Sequence, residues 1–390
     1  MHAIQLKPHE DRRLRAGHPW IFSNEIAAVD PALEDGAVGA VLDARGAFLG
    51  QAYFNRHSLI AARMLTRSRD PVDAALVARR IRSALELRAR VLPEPEFGRL
   101  VFGEADRLPG LVVDRYGDVL VAQLGTLGME RLWPWAEAAL RAELAPRAIY
   151  LRSDSPVRAQ EGLAEHCASL DGPLDGRVEL REHGAGFVTD VVRGQKTGWF
   201  YDQRDNRGLL QGRVSGARVL DAFCYAGAWS VLAARWGARE VLGLDASEFA
   251  LELARENADR NGVSGACEFR RADVFQELKA LHEAGQRFDV VVLDPPALIK
   301  SRARLQEGVR GYHDLNRAAM RLLQPGGALV TCSCSHLLPR EEFLPVLSRA
   351  AHAARAAFRV AALRGQAADH PVLLAMRETD YLKCAVLEVL

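Results

Sequence analysis

The chain has 390 residues, of which 49% are apolar and 26% charged, with a formal net charge of +1. That length predicts two or three domains with a core in each, and the balanced charge excludes an overall basic coat, so any nucleic-acid contact needs local patches. No apolar run is long enough to cross a bilayer and Met1 to Glu10 lack a signal-peptide layout, which points to a cytoplasmic protein without a membrane partner. Six cysteines without paired spacing indicate neither a disulfide framework nor a zinc site. Only five of the 51 basic side chains are lysines. Arginine clamps phosphate and stacks on bases, but genome base composition enriches it too, so this bias carries little weight.

Residues 1–71 contain short apolar stretches broken by glycine and turn residues: Trp20-Ile21-Phe22, Gly39 to Leu42, Phe48 to Gly50 and Leu59 to Ala62. This pattern predicts a small β-barrel. Arg12, Arg13 and Arg15, followed by His18-Pro19-Trp20, offer it a basic patch with an aromatic ring for stacking, the chemistry of an RNA contact. Asp70-Pro71 then opens a second region, 72–192. Val72, Leu76, Ile81, Leu85, Leu87 and Val91 predict a helix with arginines on its other side. Gly110 to Asp114 and Val119 to Leu124 predict a hairpin around Tyr116-Gly117-Asp118, followed by a helix over Glu130 to Leu144 and strands at Ala148 to Leu151 and Phe187 to Val192. The region is an α+β module with no evident catalytic cluster.

Residues 193–390 alternate strand and helix. Strands are expected at Val219 to Asp221, Val241 to Asp245, Glu268 to Arg270, Val290 to Asp294 and Ala328 to Cys332, each followed by a helix. Phe358 to Leu363 and Lys383 to Leu390 follow without a helix between them. The fold class is therefore α/β, a doubly wound parallel sheet with an antiparallel edge, which binds its ligand at the carboxyl ends of the strands.

The loops at those ends carry the chemistry. Asp221-Ala222-Phe223-Cys224-Tyr225-Ala226-Gly227 has one glycine where a dinucleotide fingerprint needs three, so it suits no pyrophosphate. Asp245 ends the second strand, where a carboxylate accepts both hydroxyls of a ribose, and Asp273 follows the third, within reach of an adenine or its ribose. Taken singly, each aspartate also reads as a helix cap or turn residue. In this order along a doubly wound sheet they suit a cationic nucleoside without phosphate, S-adenosylmethionine. Lys196-Thr197-Gly198-Trp199-Phe200-Tyr201-Asp202-Gln203-Arg204 fits equally a linker strand entering a capped helix or a segment that closes over a nucleoside.

Asp294-Pro295-Pro296 aims a carboxylate into the cleft from a loop stiffened by two prolines. Ala297 stands where the related Asp/Asn-Pro-Pro-aromatic pattern has the aromatic, which weakens methylation of an amine. Cys334, in Thr331-Cys332-Ser333-Cys334-Ser335-His336-Leu337, is either a buried inert thiol or a nucleophile. Carbon 5 of a pyrimidine takes a methyl group only after a thiolate adds to carbon 6, a case of covalent catalysis. Cys332 and Cys334 are expected to alternate sides if they lie on a strand, so that only one faces a given site. Between the two loops, Lys300, Arg302, Arg304 and Arg310 form either a phosphate-contacting rim or a solvated helix face.

Together these residues resemble the RlmI-type ribosomal RNA cytosine-5 methyltransferases, over nearly the whole chain. Arg13-Leu14-Arg15 to Ser23 looks like that family's PUA domain, Glu104 to Leu111 like its central domain, and Asp369-His370-Pro371 with Tyr381-Leu382-Lys383 like its final hairpin. The resemblance implies a PUA-like RNA-binding domain over 1–71, a central α+β domain over 72–192 and a class I, Rossmann-like methyltransferase domain over 193–390. It implies Cys334 as nucleophile and Asp294 on the N3 or amine edge of the cytosine. S-adenosylmethionine would be held by Lys196, Thr197, Gln203, Asp221, Phe223, Tyr225, Gly227, Asp245, Ala246, Ser247, Asp273, Val274 and Asp294. The implied partners are large-subunit (23S) ribosomal RNA or its precursor and a second copy of the chain. Related RNA cytosine-5 methyltransferases often carry a second cysteine where this chain has Ala297, so the base that removes the carbon-5 proton is unassigned, with His336 a candidate. Two other functions stay open: methylation of a guanine ring nitrogen or exocyclic amine, and a non-catalytic RNA-binding assembly factor, against which the four intact aspartates argue.

Overall fold

A computed structural model gives the structure of the protein and describes residues 2–390. It falls into two compact units. The first comprises Met1–Val178, Asp190–Tyr201 and Ala368–Thr379, the second Glu179–Thr189, Asp202–Ala367 and Asp380–Leu390.

In the first unit, β1 (Ala3–Leu6), β2 (Trp20–Ile21), β3 (Ile26–Val29), β4 (Val38–Leu42), β5 (Phe48–Phe54) and β6 (Ala62–Thr66) form one sheet in the order β2-β6-β5-β4-β1-β3. The helical turn α1 (Arg12–Arg15) follows β1. The apolar stretch from Leu59 does not begin a strand: the chain turns through Asn55 and Ser58, Leu59 is 78% exposed, and pairing starts at Ala62. The helix α2 (Ala74–Val91) is capped by Asp73 and buries Val77, Ile81, Ala84 and Arg88, the spacing of one helix face. A second sheet contains β7 (Phe97–Phe102), β8 (Leu111–Tyr116), β9 (Val119–Leu124), β10 (Ala148–Ser153) and β11 (His166–Ser169), ordered β11-β10-β9-β8-β7. The helix α3 (Leu127–Leu144) starts three residues before Glu130 because Thr126 accepts a hydrogen bond from the Met129 amide. Together α2 and α3 pack on this sheet through Ile81, Met129, Leu132 and Leu140 against Val113, Leu120 and Ile149. A short turn, α4 (Val157–Gln160), precedes β11; β12 (Arg177–Glu182) then pairs with β13 (Ala185–Asp190) in a hairpin whose residues Glu179–Thr189 belong to the second unit.

The second unit is built on seven strands: β14 (Arg218–Ala222), β15 (Glu240–Asp245), β16 (Cys267–Arg271), β17 (Phe288–Leu293), β18 (Leu323–Ser333), β19 (Phe358–Arg364) and β20 (Lys383–Val389). Their order is β16-β15-β14-β17-β18-β20-β19, with β20 inserted antiparallel between β18 and β19. The helices α5 (Arg204–Arg207), α6 (Ala228–Arg235), α7 (Glu248–Arg260), α8 (Val274–Glu283), α9 (Leu305–Met320) and α10 (Arg340–Ala354) complete it. Alternation along the strands makes the two faces. Leu220, Leu242, Val291, Leu329 and Leu387 enter one core with residues of α8, α9 and α10. Val219, Val241, Val290, Val330 and Val386 enter the other with Trp229 and Ala233 of α6. Among the described residues no helix is long and apolar enough to cross a membrane.

Candidate active site

Register brings the loops together. Ala222 pairs with both Leu244 and Leu293, and Leu293 pairs with Thr331, so the segments after β14, β15, β17 and β18 leave one edge of the sheet side by side. The loop after β14 is tightly wound. Phe223 and Tyr225 have φ of 68° and 47°, a region that non-glycine residues enter rarely and at functional sites more than elsewhere. The Phe223 and Cys224 amides both donate to the Leu244 carbonyl, at 2.8 and 2.9 Å, which holds the turn in place. Gly227 (φ 76°) opens α6, and a Cβ there would lie 2.9 Å from that of Ala254, so only glycine lets α6 and α7 approach.

Asp221 is completely buried beneath this loop. One of its oxygens accepts from Ser230 Oγ at 2.6 Å while the other has no partner, and burial pushes the carboxyl up to about 7. It lies under the turn rather than on the surface of the edge. Asp245 sits at the rim instead, partly buried, with Oδ2 accepting from the Tyr225 amide and Oδ1 from the Ser247 amide, both at 2.9 Å. Each oxygen keeps a second lone pair for a hydroxyl donor. Ser247 caps α7 and Ala246 is exposed beside it. Asp273 is exposed and caps α8 through one oxygen, accepting from Gln276 at 3.2 Å. Val274 is buried in the core, and its neighbour Phe275 meets Phe223 edge to face with ring centroids 6.3 Å apart.

On the other side of β14, Asp294 is fixed by two donors: Gln203 Nε2 to Oδ1 at 2.7 Å and Trp229 Nε1 to Oδ2 at 3.1 Å. Asn206 Nδ2 in turn donates to Gln203 Oε1 at 2.7 Å, so the Gln203 amide is occupied at both ends and orients Asp294. Burial raises the Asp294 carboxyl above its ordinary range. Cys334 lies one residue past the end of β18, partly buried, with Sγ 3.8 Å from the carbonyl oxygen of Pro295. Cys332 is 1% exposed, faces Cys384 across the β18 to β20 ladder, and packs in the core on the α6 side. The two thiols do part company, but alternation is not the cause: residues two apart share a face of a strand, and β18 stops at Ser333 before Cys334 can follow Cys332. Around Cys334, Ser335 Oγ accepts from the Ile299 amide at 3.2 Å and meets Tyr312 Oη at 2.9 Å, and Lys383 Nζ donates to the Ser335 carbonyl at 2.7 Å. His336 is exposed, its ring 5.5 Å from that of Tyr381.

The donor set fits S-adenosylmethionine: a rim carboxylate with spare lone pairs, an aromatic pair beside it, and a single glycine in place of a phosphate cradle. Residues 159–367 match the model of an S-adenosylmethionine-dependent methyltransferase, and residues 4–67 that of a PUA-like domain. A ribosomal RNA large subunit methyltransferase I of Shewanella denitrificans is 38% identical over 99% of both chains. One of Salmonella arizonae is 36% identical over 97% of this chain and 96% of that one. The chain belongs to the ribosomal RNA large subunit methyltransferase I family. It is an S-adenosylmethionine-dependent methyltransferase. A putative S-adenosylmethionine-dependent methyltransferase of Streptococcus mutans has the same fold over the whole of both chains, with a TM-score of 0.84 at 19% identity. A putative methyltransferase complexed with SAH superposes likewise, at 0.86 and 19%.

In this family member the remaining expected residues are distributed as follows. Lys196 and Thr197 lie in the first unit, where the buried Thr197 hydroxyl bonds the Asp114 carboxylate and Lys196 Nζ stands 4.6 Å from the Phe200 ring centre. Trp199 and Tyr201 of the same segment are buried there. Of the N-terminal patch, Arg13 pairs with Glu25 at 2.9 Å and Arg15 with Asp11 and Asp43, while Trp20 Nε1 donates to Glu104 at 2.7 Å. Arg12 is exposed. Lys300, Arg302 and Arg310 are exposed in the second unit, and Arg304 pairs with Glu307 at 2.7 Å. Trp229, Asn206 and Tyr312 were not singled out from the sequence, and Ser335 and Lys383 entered only within longer motifs, with no role of their own. Trp229, Tyr312 and Lys383 act by meeting a residue far away in the chain.

Proposed function

We propose that the protein methylates carbon 5 of a cytosine in large-subunit ribosomal RNA, with Cys334 as a transient covalent nucleophile. The carrying observation is the placement of Cys334 against the Asp294-Pro295 loop, sulfur to carbonyl 3.8 Å, at the carboxyl edge of a methyl-donor fold. The RNA class rests on the named relatives, which are large-subunit enzymes. Burial supports the choice of thiol: it pushes the Cys224 and Cys332 thiols well above the ordinary range and that of Cys267 up to about 12, which leaves them inert.

In this reaction the thiolate of Cys334 bonds to carbon 6, and the carbon 5 to carbon 6 π pair moves onto carbon 5. Asp294, when protonated, hands a proton to N3 and balances the charge; burial raises its carboxyl above the ordinary range. Bound S-adenosylmethionine supplies the electrophilic methyl group. Asp245 would hold its ribose hydroxyls, with Phe223, Phe275 and Asp273 beside the adenine. Removal of the carbon-5 proton then restores the ring double bond and expels the sulfur as thiolate, while N3 returns its proton to Asp294. The target base must leave its stack to meet sulfur and methyl from different directions.

The test is nucleoside analysis of ribosomal RNA after incubation with the protein and isotope-labelled S-adenosylmethionine. Label in 5-methylcytidine is expected. Label in an N-methylated guanosine or an exocyclic amine would overturn the choice of atom, and no label in any nucleoside would return the protein to an RNA-binding role.

A further inference from the structure

Lys383 is one of five lysines in the chain and is 2% exposed. A buried ammonium needs compensation, because burial disfavours its charge. Its Nζ donates to two carbonyls, of Ser335 at 2.7 Å and of Tyr381 at 2.9 Å, and no carboxylate of the described residues comes within ion-pair distance. Burial pulls the lysine down to about 8, while charge at Cys334 and Asp380 pushes it back up and Arg340 opposes them.

The register locates this charge. Lys383 faces Ser333 across the β18 to β20 ladder, and its ammonium reaches over to the carbonyl of Ser335. The residue bracketed by those two contacts is Cys334. Coupling between two charges is reciprocal: a thiolate that favours the ammonium is favoured by it to the same extent. Tyr312 from α9, held as a neutral phenol by burial, and the Pro295 carbonyl from the loop after β17 also face Cys334. Asp294 precedes that proline and, when ionised, opposes a thiolate; His336 follows two residues on.

We propose that Lys383 is a positioning residue for methyl transfer: it clamps the loop that carries Cys334 and holds the sulfur in its reactive, ionised form before cytosine arrives. This rests on Cys334 being the nucleophile. It assigns a role to the Tyr381-Leu382-Lys383 segment that packing alone does not require, since an aliphatic side chain would fill the same space.

The experiment is the rate of alkylation of Cys334 by iodoacetamide as a function of pH, read peptide by peptide by mass spectrometry on the full chain without cofactor or RNA. Wild type is expected to inflect below the ordinary cysteine value of about 8.5. Lys383→Met, which keeps the aliphatic stem, is expected to inflect about one pH unit higher and to react roughly tenfold more slowly at neutral pH. Superimposable wild-type and variant profiles would overturn the inference. Should the variant fail to fold by circular dichroism, the wild-type profile decides alone, and an inflection at or above about 8.5 overturns it. Turnover by Cys334→Ser tests the underlying nucleophile assignment separately. An active serine variant removes that assignment, whereas an unchanged alkylation profile removes only the role of Lys383.

Discussion

The loops after β14 and β18 leave the same sheet edge, yet they are held by opposite means. The first is held mainly through its backbone, with two residues at positive φ, two amides on the Leu244 carbonyl and the Tyr225 amide on Asp245, above a buried carboxyl that lacks a partner for one oxygen. The second is held by side chains: the Ser335 and Tyr312 hydroxyls and the Lys383 ammonium. The edge is therefore sorted by charge. Carboxylates gather where a sulfonium cofactor and its ribose would lie, and in the proposed reaction the Lys383 cation stands beside the loop where the thiolate would form. A uniform edge would serve one half of the reaction and oppose the other.

Substitutions can break this division one side at a time. The largest effect is expected from Cys334→Ser, with turnover on ribosomal RNA falling roughly 10⁴-fold while calorimetry finds cofactor affinity within a few-fold of wild type. Loss of cofactor binding in that variant would mean that the two loops are one structural device. Asp245→Ala should do the reverse. Losing hydrogen bonds from a charged acceptor predicts about 10- to 100-fold weaker cofactor binding, with turnover at saturating cofactor largely kept. Equal affinity in the variant would place the ribose elsewhere.

Two smaller effects sharpen the contrast in how the loops are held. Because Asp221 is raised to about 7, its folded form binds a proton more readily than its unfolded form. Its contribution to stability is therefore fully present below about pH 4 and is lost as pH rises through about 7. Urea unfolding of Asp221→Asn should lack this component, so wild type should lose about 2 kcal/mol more than the variant between pH 5 and 8. Parallel profiles would show that the orphaned carboxyl is solvated after all. On the other loop, Tyr312→Phe removes one hydroxyl contact to Ser335 and should lower unfolding free energy by about 1 kcal/mol with little pH dependence.

Legibility in the sequence followed the same division. The central strands β14, β15, β17 and β18 were readable because each carries a buried apolar run, and Asp245, Asp294 and Cys334 lie at or just past the ends of such runs. What holds them was not. Gln203 and Trp229 reach Asp294 from 91 and 65 residues away, and Lys383 reaches Ser335 from 48, separations over which no local pattern exists. Gln203 was expected at the cofactor from the sequence, but its bonds to Asn206 and Asp294 could not be read there. The ion pairs of the arginine patch were hidden for a related reason. Counting cations over Arg12 to Arg15 cannot reveal that Glu25, Asp11 and Asp43 fold back onto two of them.

The central claim, a covalent bond between Cys334 and cytosine carbon 6, is tested most directly with RNA carrying 5-fluorocytosine at the methylation site. Fluorine leaves no carbon-5 proton to remove, so the adduct cannot resolve once the methyl group is transferred. In the presence of S-adenosylmethionine the protein should form a denaturation-resistant RNA complex, and peptide mapping should place the link on Cys334. Normal methylation of the unmodified RNA with no such complex on the fluorinated one, or a link on another residue, would contradict it.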